Sequence, residues 1–239
     1  MIVFSPVKLK EPRTCLMSRS TTYSLTCPCG KEFSSQIYEY VNTAHDPQLQ
    51  YTVLAGLLNV PTCPICGRRV ALARPFVYSD PTHDLLVYVH PSAEIPDEAR
   101  LLITDKLLNV YSQIGTQGLY DGSEGGSTHK RSTRNSRNGS SAAQKPQEVL
   151  PLHVVFGLDE LIELINAELS QDERLGRLAL STHSHREAER GQLLDIARKF
   201  ASEMHCQIEV EDMPDEYTVW LYGSRRQIGA LMRELAPRG

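Results

Sequence analysis

The chain has 239 residues, 41% hydrophobic and 23% charged, with a formal net charge of −4, which describes a globular chain with room for one or two domains. No stretch reaches the roughly 18 apolar residues of a membrane span. Met1-Ile2-Val3-Phe4 is too short an apolar run, without a basic lead, for a secretory signal, so the sequence predicts a cytoplasmic protein with no membrane contact.

Met1 to Ser20 reads as an irregular tail containing Cys15. Thr21–Thr26 is β-rich and enters a turn at Cys27-Pro28-Cys29-Gly30, and Lys31–Asn42 leaves it with Phe33, Ile37 and Val41 on one face, so a hairpin is predicted. Asp46-Pro47 supplies an N-cap and an N1 proline. Leu49, Val53, Leu54, Leu57 and Leu58 then recur at helical spacing up to Asn59. A second cysteine turn follows at Cys63-Pro64-Ile65-Cys66-Gly67, with an outgoing strand predicted from Arg69 to Ser79 that turns Val70 and Leu72 inward. Asp80–Asp84 is a turn, Leu85–His90 alternates as a strand, and Pro96-Asp97-Glu98 opens a helix to Gly115 with Leu102, Leu107, Val110 and Ile114 as its stripe.

The two cysteine turns hold four of the six cysteines, with 34 positions separating Cys29 from Cys63. A tetrahedral zinc needs four sulfurs about 2.3 Å from the ion, and two turns that each present a close sulfur pair can deliver them. Proline fixes φ within each turn, and the glycine after the second cysteine can take φ > 0, so the backbone closes tightly around a sulfur. Three readings of the cysteines compete: a structural zinc site, a thioredoxin-like dithiol, and unligated cysteines or an iron–sulfur site. The duplication favours the ion. Four thiolates and a divalent cation leave a local charge of −2, and Lys31, Arg68 and Arg69 stand just after the turns. Cys206 has no motif around it and reads as a small apolar side chain.

Thr26 to Asp80 resembles the CpXC domain, a prokaryotic family defined by two such cysteine motifs. The likeness extends through Asn42 to Asp46-Pro47, Leu58-Asn59-Val60, Pro75-Phe76-Val77-Tyr78 and Val155–Leu161. It implies that Cys27, Cys29, Cys63 and Cys66 are the family's metal-ligating cysteines. The first motif is one residue shorter than the family's, which alters the turn rather than the number of ligands.

Residues 116–148 change to Gly, Ser, Thr, Asn and Gln, and read as a disordered linker whose bases, Lys145 apart, are concentrated between His129 and Arg137. Leu152–Phe156 is a predicted strand and Gly157–Leu169 a helix with Leu158, Leu161, Ile162, Ile165 and Leu169 on one side. Three capping boxes, Ser170 with Glu173, Ser184 with Glu187 and Ser224 with Gln227, predict three helix starts. The second opens a helix that buries Leu193, Leu194, Ile196, Ala197, Phe200, Ala201 and Met204. Gln207–Glu211 and Tyr217–Tyr222 form a hairpin, and Ile228, Leu231, Met232 and Leu235 mark a last helix.

The fold class is thus α+β: a tail (1–20), a zinc-ribbon-containing α+β domain (21–115), a linker (116–148) and an acidic α+β domain of helices plus a hairpin (149–239). Residues 149–239 carry ten bases against sixteen acids, a charge that repels nucleic-acid phosphates. His183 and His185 read as exposed imidazoles at a helix boundary, and His45, His83 and His90 as turn residues with no spacing that ties them to the ion. No phosphate loop, nucleophile elbow or paired-carboxylate motif occurs, and four cysteines leave a metal no open position, so no catalytic residue is assigned. The reading is a non-enzymatic adaptor or regulatory module with structural Zn2+ on Cys27, Cys29, Cys63 and Cys66, serving a protein partner of a signalling or GTPase type. Two alternatives stand beside it. A nucleic-acid-binding zinc ribbon would rest on Arg68, Arg69, Arg74 and the linker, and a thiol redox protein on the cysteine pairs.

Overall fold

The computed structural model describes residues 17–120 and 150–235. Most of the expected tail and linker, with Cys15, lies outside the described residues. Strands β1 (Arg19–Thr26) and β2 (Glu32–Asn42) form the predicted antiparallel hairpin, in one register from Ser20↔Tyr38 to Thr26↔Glu32 with a shift between Arg19 and Ser20, and its tip is the first cysteine turn. Helix α1 (Gln48–Leu54) stops before the predicted Asn59. Gly56, at φ +71°, is the cause: its N–H bonds to Val53 O and that of Leu57 to Thr52 O, closing a Schellman motif that no L-side chain favours.

Strand β3 (Phe76–Asp80) adds parallel to β2, β4 (Leu85–His90) returns antiparallel to β3, and β5 (Leu152–Phe156) adds parallel to β4. The five-stranded order is β1-β2-β3-β4-β5. Helix α2 (Asp97–Tyr120) runs past Gly115, so helix occupies the first residues assigned to the linker. It rests on the sheet through one side, where the Tyr111 hydroxyl donates to Leu150 O at 2.7 Å. Leu102 and Val110 of its expected stripe stay exposed, because β5 gives the helix only a narrow seat. Helix α3 (Leu158–Glu168) follows β5 directly and turns Leu161 and Ile165 into the sheet. Gly157 between them takes φ +89°, and a Cβ there would meet the Ala93 Cβ at 2.9 Å.

This placement moves a boundary. The segment assigned to the start of the acidic domain completes the first sheet, and Val155, Leu161, Ile165 and Leu169 share one core with Val41, Val53, Tyr78 and Val87. A buried strand needs hydrogen bonds on its open side, and β5 supplies them to β4. The second sheet begins only at β6 (Leu175–Thr182) and continues through α4 (Glu187–Met204), β7 (Gln207–Asp212), β8 (Tyr217–Ser224) and α5 (Arg225–Leu235), in the order β6-β8-β7. Its separate core holds Ala197, Val219, Leu221, Ile228 and Leu231.

The capping boxes divide three ways. Ser224 and Gln227 form theirs in full: the Gln227 N–H donates to Ser224 Oγ at 3.1 Å and the Ser224 N–H to Gln227 Oε1 at 3.0 Å. Ser170 and Glu173 also bond, at 3.0 Å from the Ser170 N–H, but they close a turn that leads into a strand and not a helix. Gly176 and the two-residue alternation after it favour pairing with β8, where Gly176 sits opposite Gly223. Ser184 does not cap at all: α4 starts at Glu187, and the Ser184 Oγ takes the Arg186 N–H at 3.2 Å.

Candidate metal centre

The two cysteine turns are closed by different rungs of the same kind. In the first, the Cys27 N–H bonds Lys31 O at 2.8 Å and the Gly30 N–H bonds Cys27 O at 2.8 Å. In the second, the Cys63 N–H bonds Arg68 O at 2.9 Å and the Gly67 N–H bonds Cys63 O at 3.0 Å. The missing residue of the first motif therefore tightens the closing bond from four residues to three without removing a sulfur. Gly30 at φ +84° and Gly67 at φ +67° occupy the position each reversal requires.

Beyond the second turn the chain departs from the expected strand, and residues 69–75 do not join the sheet. Arg69 bridges Thr62, the Val70 N–H donates to Pro61 O and the Leu72 N–H to Asn59 O, so this stretch zips back along its own stem. On that side of β2, strand β3 pairs with Tyr40–Asn42 only. Asn59 docks the stem on the hairpin. At φ +58°, its side chain accepts the Tyr38 N–H at 2.7 Å and donates to Tyr38 O at 3.0 Å, taking the place of a neighbouring strand on β2.

That docking brings the four sulfurs together. Cys27 Sγ lies 3.5 Å from Cys66 Sγ and Cys29 Sγ 3.7 Å from Cys63 Sγ. All four Sγ atoms lie within 4.8 Å of one another. Sulfurs at the corners of a tetrahedron with 2.3 Å metal–sulfur bonds stand about 3.8 Å apart, so the cluster has the size that a metal ion requires. Cys27 and Cys63 are buried and Cys29 and Cys66 exposed, which gives the site an inner and an outer sulfur from each turn.

The electrostatics suit a thiolate at Cys63. The Cys66 and Ile65 backbone N–H groups aim at its sulfur and, against the effect of burial, bring its pKa down to about 6. At Cys27 the Cys29 backbone N–H acts in the same direction, but burial and the hydrogen bonds that Cys27 makes to the neighbouring sulfurs push the thiol up to about 12. Four sulfurs without a cation share protons unequally; a divalent cation would take their place. Cys206 stands apart in the second core, and burial raises its thiol to about 11, so it is an apolar packing residue in this fold.

The bases expected to offset the site serve other ends. Arg69 pairs with Glu209 of β7, and the Arg74 guanidinium lies 4.6 Å above the Tyr23 ring. Lys31 and Arg68 stay exposed. His183 and His185 are exposed, with His183 Nδ1 3.2 Å from Asp215 O, and His45 and His90 do not approach the sulfurs. His83 does more than occupy a turn: Nδ1 is 2.8 Å from the buried Asp80 carboxylate and Nε2 3.8 Å from Glu173, so it ties the β3–β4 turn to the turn that follows α3. Asp80 three residues before a histidine in a tight turn was the available signal. Tyr78, fully buried beside Asp80, has a hydroxyl that finds no hydrogen-bond partner among the described residues, and burial with the nearby carboxylate raises its pKa.

The family profile described as CpXC protein matches residues 25–174. The matched span contains both cysteine turns and ends where the second sheet starts. No curated protein and no solved structure matches the chain.

Proposed function

The chain belongs to the CpXC protein family, and from that premise we propose that it is a non-enzymatic cytoplasmic adaptor or regulatory module with a structural zinc on Cys27, Cys29, Cys63 and Cys66. The observation that carries the reading is the closure of the site, since four sulfurs within 4.8 Å of one another fill every corner of a tetrahedral shell. A zinc so enclosed has no position for water or substrate, and its role is to hold the two turns together. No described helix is long and apolar enough to cross a membrane.

The partner is a protein, of a signalling or GTPase type. The nucleic-acid alternative is weakened by the engagement of Arg69 with Glu209 and of Arg74 with Tyr23. A thioredoxin-like dithiol sits at a helix N-terminus, whereas here both pairs lie in hairpin turns. The test is to purify the full chain, measure zinc, assay hydrolase and thiol–disulfide turnover, and look for a stoichiometric protein complex by cross-linking. One zinc per chain, no turnover and a defined complex are expected. Steady turnover by a pure sample overturns the reading.

A further inference from the structure

We propose that the unpaired outer edge of β7, together with the cleft between it and the second cysteine turn, takes up an extended basic segment of a partner protein by strand addition. The inference rests on the adaptor reading above and names the surface and the chemistry of its partner. The cleft has a volume of about 920 Å³, with Cys63–Gly67 on one wall and Glu209–Pro214 on the other. Successive side chains of a strand point to opposite faces, so a cleft over one face would be lined by alternate residues. Four consecutive residues of β7, Glu209–Asp212, line this one together with Met213 and Pro214 of the turn that follows, which places it along the edge of the strand and past its end.

That edge is available. The three-stranded order β6-β8-β7 leaves β7 paired on one side only, and an unpaired edge presents backbone N–H and C=O groups that a further strand can complete. Ile208 O is occupied by the Gln207 side-chain amide at 2.9 Å, and Glu209 is tied to Arg69, so the docking stretch is the outer half of the strand. Val210 there is 43% exposed, Met213 just past the end of the strand 55%, and Ile65 across the cleft 70%. Exposed apolar groups on both walls supply the area that backbone hydrogen bonds alone do not.

Charge sets the occupant. The cleft contains the carboxylates of Glu209, Glu211 and Asp212 against the single guanidinium of Arg69. Asp212 is 3.0 Å from Arg190, whereas Glu211 receives only the Trp220 Nε1–H, at 3.0 Å. Among the described residues Glu211 has no cationic partner, and it stands on the exposed half of the edge. A segment that alternates basic and apolar side chains would set a cation against Glu211 on one face of the strand and an apolar group beside Val210 on the other.

The experiment uses the full metal-loaded chain and a fluorescein-labelled ten-residue peptide alternating lysine with valine, beside a counterpart with glutamate for lysine. Anisotropy should show binding of the lysine peptide that weakens with salt, and no binding of the glutamate peptide. Glu211→Lys should weaken binding about tenfold, as expected for reversing one partly desolvated charge, and hydrogen exchange should slow at residues 207–212 when the peptide binds. Equal binding of both peptides, or lysine-peptide binding without slowed exchange in β7, overturns the proposal. So does concentration-dependent dimerisation that buries β7 and excludes the peptide, since the occupant is then a second copy. If the chain forms a stoichiometric protein complex while the peptide leaves β7 unprotected, the cleft is wrong and the adaptor reading stands. If neither occurs, both fall.

Discussion

The cysteine end of the first unit and the two hydrophobic cores are held by different forces. Cys27 and Cys63 are 3% and 1% exposed, yet neither belongs to a core cluster. Around them the order comes from backbone rungs, the Asn59 amide and whatever the four sulfurs bind, whereas Val87, Leu161 and Ile165 in one core and Val219 and Leu221 in the other are held by burial. A minimal zinc finger has only the first kind of support and unfolds without its ion. This chain has both, so metal loss and core damage should be separable.

Cys63→Ser breaks that separation most sharply. Structural zinc in isolated fingers is worth about 10–16 kcal/mol, and here its loss should fall on the turns. Metal content should drop from about one per chain to none, with faster hydrogen exchange in residues 25–32 and 60–72, while most of the far-UV helix signal survives. Global unfolding would show that the cores depend on the ion. Asn59→Ala is next: it leaves the Tyr38 N–H and C=O without their side-chain partner and puts alanine at positive φ. A cost of about 2–3 kcal/mol is expected in denaturant titration, with weakened metal retention. A metal affinity equal to that of the parent would show that the stem is aligned without Asn59.

The capping boxes sharpen the comparison within the second unit. Ser224→Ala should cost about 1 kcal/mol, whereas Ser184→Ala should leave stability nearly unchanged, since only Ser224 caps its helix. Equal effects in urea melts would contradict that difference. The smallest effect concerns pH. Burial raises the Glu160 pKa, but the Phe156 N–H and Arg100 outweigh it and bring the carboxyl below its ordinary value. Its contribution is present above the unfolded-state pKa and is lost as pH falls through the lower folded one. The side chain is 39% exposed, so the acid loss should be small, and Arg100→Gln should reduce it to the part that the Phe156 N–H still supplies. An acid limb unchanged by that substitution would remove Glu160 from the set of groups that tie stability to pH.

Much of this was legible in the residue pattern, and the exceptions have causes. The hairpins at Thr26–Lys31 and Asp80–Asp84 announced themselves through alternation and turn chemistry, and the four cysteines through spacing. The membership of β5 did not, because Leu152–Phe156 reads the same whether it opens a new domain or completes an old sheet. Only the partner strand decides, and that partner lies across residues of linker-like composition. Strand β6 was hidden by a capping box that forms but has no helix to cap, since Gly176 and the alternation after it outweigh a local signal worth about 1 kcal/mol. At the site, the sulfurs were legible but Asn59 was not read as their aligner, because a side chain that replaces a strand leaves no periodicity.

X-ray absorption at the metal edge of freshly purified full-length chain tests the central claim most directly. A four-sulfur centre predicts one metal per chain, with a first shell of sulfurs alone at about 2.3 Å and no lighter ligand. A shell that includes nitrogen or oxygen, or the absence of stoichiometric metal, would contradict it.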